Sequence, residues 1–220
     1  MTIDICVTHF GHKYSTRYLD NLERGIGRNY SGDFNFVVKT DCPNRHWDKI
    51  SFFDCDRRTI VMDIDMIVMN NLDELFKYPV DGFGAFQRWW RGNQDINGGF
   101  YILEPSEQNH LLKESFYQDP EGWIYRYSNI VGTKWMGEQT FVNDHILDKT
   151  VLPGQWLGIY VDRVEHKGVY QKQADFNRMY NSLYNTHMIN TCKFMHFIYD
   201  QRIEQHDKWI IDLWNGTSYV

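Results

Sequence analysis

Cysteine is scarce and scattered. Cys6, Cys42, Cys55 and Cys192 are the four in 220 residues, and no C-x-x-C or Cys/His cluster joins them. That spacing argues against a disulfide scaffold or a zinc site and reads as reduced thiols, three of them in or beside apolar runs, in a cytosolic protein. No run approaches 18 apolar residues, so no membrane span is read. The opening MTIDICVTHF has an acid at Asp4 and neither a basic region nor a long apolar core, so no signal peptide is read and the expected location is cytoplasmic. Blocks of Lys and Arg are missing and the net charge is −6, which excludes nucleic acid as a partner because phosphate binding needs a clustered basic surface. Repeats, low-complexity tracts and linkers are absent too, and the length fits one domain.

Aromatics, by contrast, are abundant. Eight Trp, 14 Tyr and 14 Phe make 16% of the chain, while hydrophobic (42%) and charged (24%) content is ordinary for a globular protein. Most should be core, with a minority free to line a ligand groove.

Along the chain, IDICVTHF (3–10) reads as a buried first strand, and Tyr14, Tyr18, Leu22 and Ile26 form a helical stripe from Lys13 that Gly27 can end. FNFVVKT (34–40) is a second strand. TIVMDIDMIVM (59–69) is one central extended run, followed by NNLDELF, where Asn71 can cap a helix and Glu74 can reach back. Strands at GFGAF (82–86) and GGFYIL (98–103) flank the loop QRWWRGNQDIN. Helices are expected from Pro105 to about Tyr117 and over 137–147, a short strand at 159–161, a late strand at 193–198 and a closing helix over 205–215. Strands alternating with helices predict an α/β layered domain with a mixed, mainly parallel central sheet.

Within the central run, Asp63 and Asp65 stand one residue apart between TIVM and MIVM. Side chains two apart on a strand share a face, and two like charges held together raise each other's pKa unless a cation neutralises them. A divalent cation, Mg²⁺ or Mn²⁺, shared with a substrate's phosphates is an economical answer. A bare D-x-D is more often a solvated strand-to-turn junction, but the apolar flanks make an unpaired pair costly. Two phosphate-handling classes remain. A haloacid-dehalogenase-type phosphatase would use Asp63 as nucleophile, although there the motif belongs to the first strand and a small residue follows it, whereas here Met66 follows and a strand–helix–strand unit precedes. A non-catalytic, metal-dependent carbohydrate-binding module is a third reading.

The other phosphate-handling class is the nucleotide-sugar glycosyltransferases. IVMDIDMIVMNNLDELF resembles the "YLDADTLVLRNIDELF"-like stretch of the glycogenin and lipopolysaccharide galactosyltransferase family, of GT-A fold. Three further segments follow in the family's order: INGGFYIL (96–103) is similar to its "FNSGVMVL", GEQTFVN (137–143) to its "DQDALN", and FMHFI (194–198) to its "IMHFxGxxKPW". The resemblance implies a single GT-A domain over 1–220, with 1–103 binding the nucleotide sugar and 104–220 carrying the acceptor side and the last metal ligand. It implies a UDP-sugar hexosyltransferase, UDP-glucose or UDP-galactose being the expected donor and a carbohydrate or other hydroxyl the acceptor, with retained anomeric configuration. Asp63, Asp65 and His196 are then the metal ligands, for Mn²⁺ or Mg²⁺. Asn97, Gly98 and Gly99 meet the sugar, and Glu138 and Gln139 stand near the reacting carbon as catalytic residues together with Asp63. Thr8, Tyr14, Thr40 and Asp41 lie where the family contacts the base, Ile64 lies against the nucleotide sugar, and Arg57, Arg58 and Arg202 are candidates for its phosphates. The motif's Gly and Pro-Trp are replaced by Tyr199 and by Ile203-Glu204. Trp89 and Trp90, beside the sugar segment, are the candidate acceptor platform, since sugar C–H faces stack on aromatics.

Overall fold

The computed structural model describes residues 2–88, 95–128, 137–160, 191–197, 202–206 and 208–217. In chain order these form β1 (Ile3–Thr8), α1 (Arg17–Asn29), β2 (Phe34–Lys39), a 3-10 segment (Arg45–Phe53), β3 (Thr59–Met62), β4 (Met66–Val68), α2 (Asp73–Phe76), β5 (Phe83–Gln87), β6 (Ile96–Leu103), α3 (Glu107–Gln118), α4 (Pro120–Ser128), α5 (Glu138–His145), β7 (Thr150–Leu152), β8 (Leu157–Tyr160), β9 (Phe194–Phe197) and α6 (Lys208–Asn215). Two compact units result. The first comprises Met1–Gly11, Gly32–Asp63 and Tyr78–Leu152, the second His12–Ser31, Ile64–Lys77 and Pro153–Val220.

The first unit is built on a six-stranded sheet of order β2-β1-β3-β6-β5-β7. The pairs β1–β2, β1–β3 and β5–β7 run parallel, while β3–β6 and β5–β6 run antiparallel, so the sheet is the mixed, mainly parallel one expected. β6 is buried at every position, which is why INGGFYIL, Asn97 apart, shows no polar alternation. The 3-10 segment packs against β1 and β3, α3 against that segment and α5 against β6. Aromatic side chains fill the core between these layers: Trp47 stacks on Phe116 at 5.6 Å, and Tyr101 meets Phe53 edge-on at 5.7 Å.

The second unit holds a three-stranded sheet, β4-β9-β8, with α1 and α6 packed on β4 and on each other. Tyr18, Leu22 and Ile26 are buried, as their spacing predicts. At Gly25 a Cβ would stand 3.0 Å from Val68 Cγ2, so α1 approaches β4 more closely than a side chain comfortably permits.

Several expectations change. The run 59–69 is two strands in two different sheets, broken at Asp63–Asp65, because β3 pairs with β6 while β4 pairs with β9. Helix α1 begins at Arg17 and passes through Gly27 to Asn29, ending where Tyr30 turns extended and packs on Phe76 at 5.1 Å. Asn71 does accept the Asp73 N–H at 2.9 Å, but α2 is a single turn, and Glu74 faces Lys193 at 3.6 Å instead of closing a capping box. The 3-10 segment, α4 and β7 have no counterpart in the sequence reading. All four cysteines are free thiols, and no helix among the described residues is long and apolar enough to cross a membrane.

Candidate active site

In the first unit the site grows from the carboxyl ends of three neighbouring parallel strands, the edge at which open α/β sheets receive ligands. Thr8 ends β1 opposite Lys39 of β2, so Thr40 and Asp41 follow at the same edge. β1 also pairs with β3 through Cys6 and Val61, and continuing that register brings Asp63 level with Thr8. The Asp63 N–H donates to the Gly99 carbonyl at 2.8 Å, extending the β3–β6 ladder one step beyond Met62. This bond fixes the aspartate beside Asn97, Gly98 and Gly99 of β6.

A buried charge cluster occupies this corner. Lys49, on the 3-10 segment and 3% exposed, donates at 2.7 Å to Asp63 Oδ1 and at 2.7 Å to the Gly98 carbonyl, and its Nζ is 3.5 Å from Glu138 Oε2. Glu138, the first residue of α5, is equally buried and accepts a hydrogen bond from the Tyr101 hydroxyl at 2.9 Å. One ammonium thus serves two carboxylates and a carbonyl in a region where an unpaired charge would cost several kcal/mol. Burial pushes the Glu138 carboxyl above its ordinary range; Lys49 and the Tyr101 hydrogen bond pull it down, and Asp63 adds to the rise. Burial, together with the Glu138 charge, likewise holds the Tyr101 hydroxyl well above the usual phenol range.

Backbone geometry ties α5 to β6 at the same point. Gln139 Oε1 accepts the Gly98 N–H at 3.0 Å, and Asn97 Oδ1 accepts the Gly99 N–H at 2.9 Å. A Cβ on Gly98 would lie 2.8 Å from Gln139 Cβ and 3.2 Å from Glu138 Oε2, so glycine is required by the close approach of the helix.

Within the second unit, Asp65 precedes β4, and its carbonyl accepts the Phe197 N–H at 3.0 Å. Its Oδ2 accepts from the Tyr14 hydroxyl at 2.8 Å, and its Oδ1 is 3.5 Å from His196 Nε2 on β9, where Met66 and His196 pair. Ile64 and His196 are both buried. Arg202 is exposed and caps the 3-10 turn Ile203–Gln205.

Two predicted phosphate contacts lie elsewhere. Arg57 and Arg58 precede β3, at the end away from Asp63 by the strand's length, about 16 Å at ~3.3 Å per residue. Arg58 pairs with Glu104 at 2.7 Å and donates to the Tyr78 carbonyl, while Arg57 lies 3.6 Å from Asp4 and 3.5 Å from Asp56. They brace the far edge of the sheet. Trp89 and Trp90 lie outside the described residues. Sequence reading missed Lys49 and Tyr101 altogether. A signal was present for the first: in RHWDKISFF a lysine placed among Trp47, Ile50 and Phe53 must find a partner when those neighbours are buried.

No family model matches the chain, and neither does any curated protein. Solved structures do. The galactosyltransferase LgtC, in complex with donor and acceptor sugar analogues, superposes with a TM-score of 0.63 at 11% identity over 99% of this chain and 97% of its own. The glycosyltransferase GlyE of Streptococcus pneumoniae TIGR4 gives 0.68 at 10% identity, covering 99% of this chain and 60% of its own. A glycosyltransferase involved in glycosylating the major capsid of PBCV-1 gives 0.55 at 12% identity over 96% and 99% of the two chains. The protein therefore has the fold of these glycosyltransferases, the GT-A fold that its sequence resemblance implies.

Proposed function

We propose that this protein is a metal-dependent glycosyltransferase that moves a hexose from a UDP-sugar, UDP-glucose or UDP-galactose, to a hydroxyl acceptor with retention of configuration. The observation that carries the reading is the edge at which Thr8, Thr40, Asp41 and Asp63 end adjacent strands beside Asn97–Gly99 and the buried Glu138. In this reading the base and ribose lie along Thr8, Tyr14, Thr40 and Asp41. Ile64 lies against the nucleotide sugar, and the sugar meets Asn97 and the Gly98–Gly99 backbone.

Asp63, Asp65 and His196 would hold the ion. Two carboxylates and an imidazole are a donor set suited to Mn²⁺, and Asp65 and His196 already bring Oδ1 and Nε2 within 3.5 Å of each other. Asp63 is one residue removed from Asp65, so their Cα atoms are at most about 7 Å apart by chain geometry. When bound, such an ion supplies Lewis-acid stabilisation of the diphosphate charge. The protein's own groups do the rest. Lys49 orients Asp63, Tyr101 and Lys49 orient Glu138 and the Gly98 N–H orients Gln139, both beside the reacting carbon, and Arg202 offers a guanidinium to the phosphates. Trp89 and Trp90 are the proposed acceptor platform.

A thermal-shift panel of nucleotides and UDP-sugars with and without Mn²⁺ tests the proposal, because a ligand that binds only the folded state raises the melting temperature by mass action. The expected result is a UDP-dependent rise that needs Mn²⁺ and disappears in Asp65→Ala. No metal-linked shift with any nucleotide, or a covalent aspartyl-phosphate at Asp63, would overturn it.

A further inference from the structure

Tyr18 is fully buried on α1, yet its hydroxyl serves two successive residues of the carboxyl-terminal segment: it accepts the Ile203 N–H at 2.9 Å and donates to the Glu204 carboxylate. Those two residues stand where the family motif has Pro-Trp, and they directly follow Arg202. A buried phenol needs a single partner to be satisfied. Here both bonds pin the same 3-10 turn.

The ring is held just as closely. Tyr18 lies 4.7 Å from the Tyr14 ring and 4.8 Å from the Trp214 ring of α6. Arg17 completes the clasp, lying over Trp214 at 4.8 Å and donating to Asn215 Oδ1 at 2.7 Å. Tyr14, at the other end of the stack, holds Asp65. One aromatic row on α1 and its lead-in therefore fixes a proposed metal ligand and the turn next to a proposed phosphate ligand.

We propose that Tyr18 is a positioning residue for donor binding: by fixing Ile203 and Glu204 it aims the neighbouring Arg202 guanidinium at the nucleoside diphosphate. The inference rests on the proposed function. Its physical basis is preorganisation, since a guanidinium on an already ordered turn binds without paying to order that turn. The stack replaces the rigidity that Pro-Trp would otherwise bring to this stretch.

The test is calorimetric titration of UDP in the presence of Mn²⁺ into the full-length wild type, Tyr18→Phe, Glu204→Ala, Arg202→Ala and the two double variants with Arg202→Ala. Melting temperatures confirm folding, and Glu204→Ala, at an exposed side chain, guards against a Tyr18→Phe protein that fails to fold. Each single substitution is expected to weaken UDP about tenfold, and neither Tyr18→Phe nor Glu204→Ala should weaken it further once Arg202 is gone. Wild-type affinity in Tyr18→Phe and Glu204→Ala, or losses that add to that of Arg202→Ala, would overturn the proposal. A wild type that binds no UDP with Mn²⁺ overturns the underlying reading and this inference with it.

Discussion

Replacing Lys49 by Met should show how the buried cluster is held together. The substitution keeps the aliphatic stem and removes the ammonium, leaving Glu138, 3% exposed, with the Tyr101 hydroxyl but without its cation. Asp63, whose side chain is 32% exposed, can turn to water for compensation, so the damage concentrates on Glu138. Removing one partner of a buried pair costs about 3–5 kcal/mol, and at ~3 °C per kcal/mol for a chain of this size the melting temperature should fall by about 9–15 °C. The assay is thermal and urea denaturation of four proteins: wild type, Lys49→Met, Glu138→Gln and the double variant. A glutamine at 138 still accepts from Tyr101 but carries no charge, so Lys49→Met should cost roughly half as much in that background, a coupling of about 2 kcal/mol. Equal costs in both backgrounds, within about 0.5 kcal/mol, would refute the idea that Lys49 acts by neutralising Glu138.

Three further outcomes follow from the same geometry. Because burial raises the Glu138 carboxyl above its unfolded value, its favourable contribution is complete below about pH 4.5 and is lost as pH rises through the raised value; Glu138→Gln should therefore gain stability relative to wild type as pH increases from 4.5 to 8, and a constant difference in denaturant midpoint would contradict this. Gly98→Ala must push α5 off β6 to relieve the 2.8 Å approach to Gln139 Cβ, and should lose about 1–3 kcal/mol in urea titrations; a neutral effect would show that α5 yields freely. The Cys6 thiol is pushed up to about 12, chiefly by burial, so iodoacetamide at pH 8 should spare Cys6 in the native protein and modify it in urea, as read by peptide mass mapping; rapid native labelling would contradict its burial.

The sequence by itself determined the elements whose periodicity is strong and the residues whose identity is costly. The stripe Tyr18, Leu22, Ile26 announces α1, the apolar runs announce β1, β3 and β6, and the two aspartates between TIVM and MIVM announce charge that such apolar flanks cannot leave unpaired. Short or irregular pieces were illegible because their stability comes from packing: the 3-10 segment Arg45–Phe53 is held by the stacking of Trp47 on Phe116, and β7 exists only through its pairing with β5. The break at Asp63–Asp65 looked like one strand because both halves are apolar, and only pairing partners, β6 for one half and β9 for the other, divide them between two sheets. Arg57 and Arg58 seemed near the aspartates in sequence, yet a strand converts five residues into some 16 Å. Lys49 is the reverse case. Fourteen residues upstream of Asp63 in sequence, it lies 2.7 Å away in the fold, because only tertiary packing can bring an ammonium and two carboxylates together and give each its counter-charge out of water.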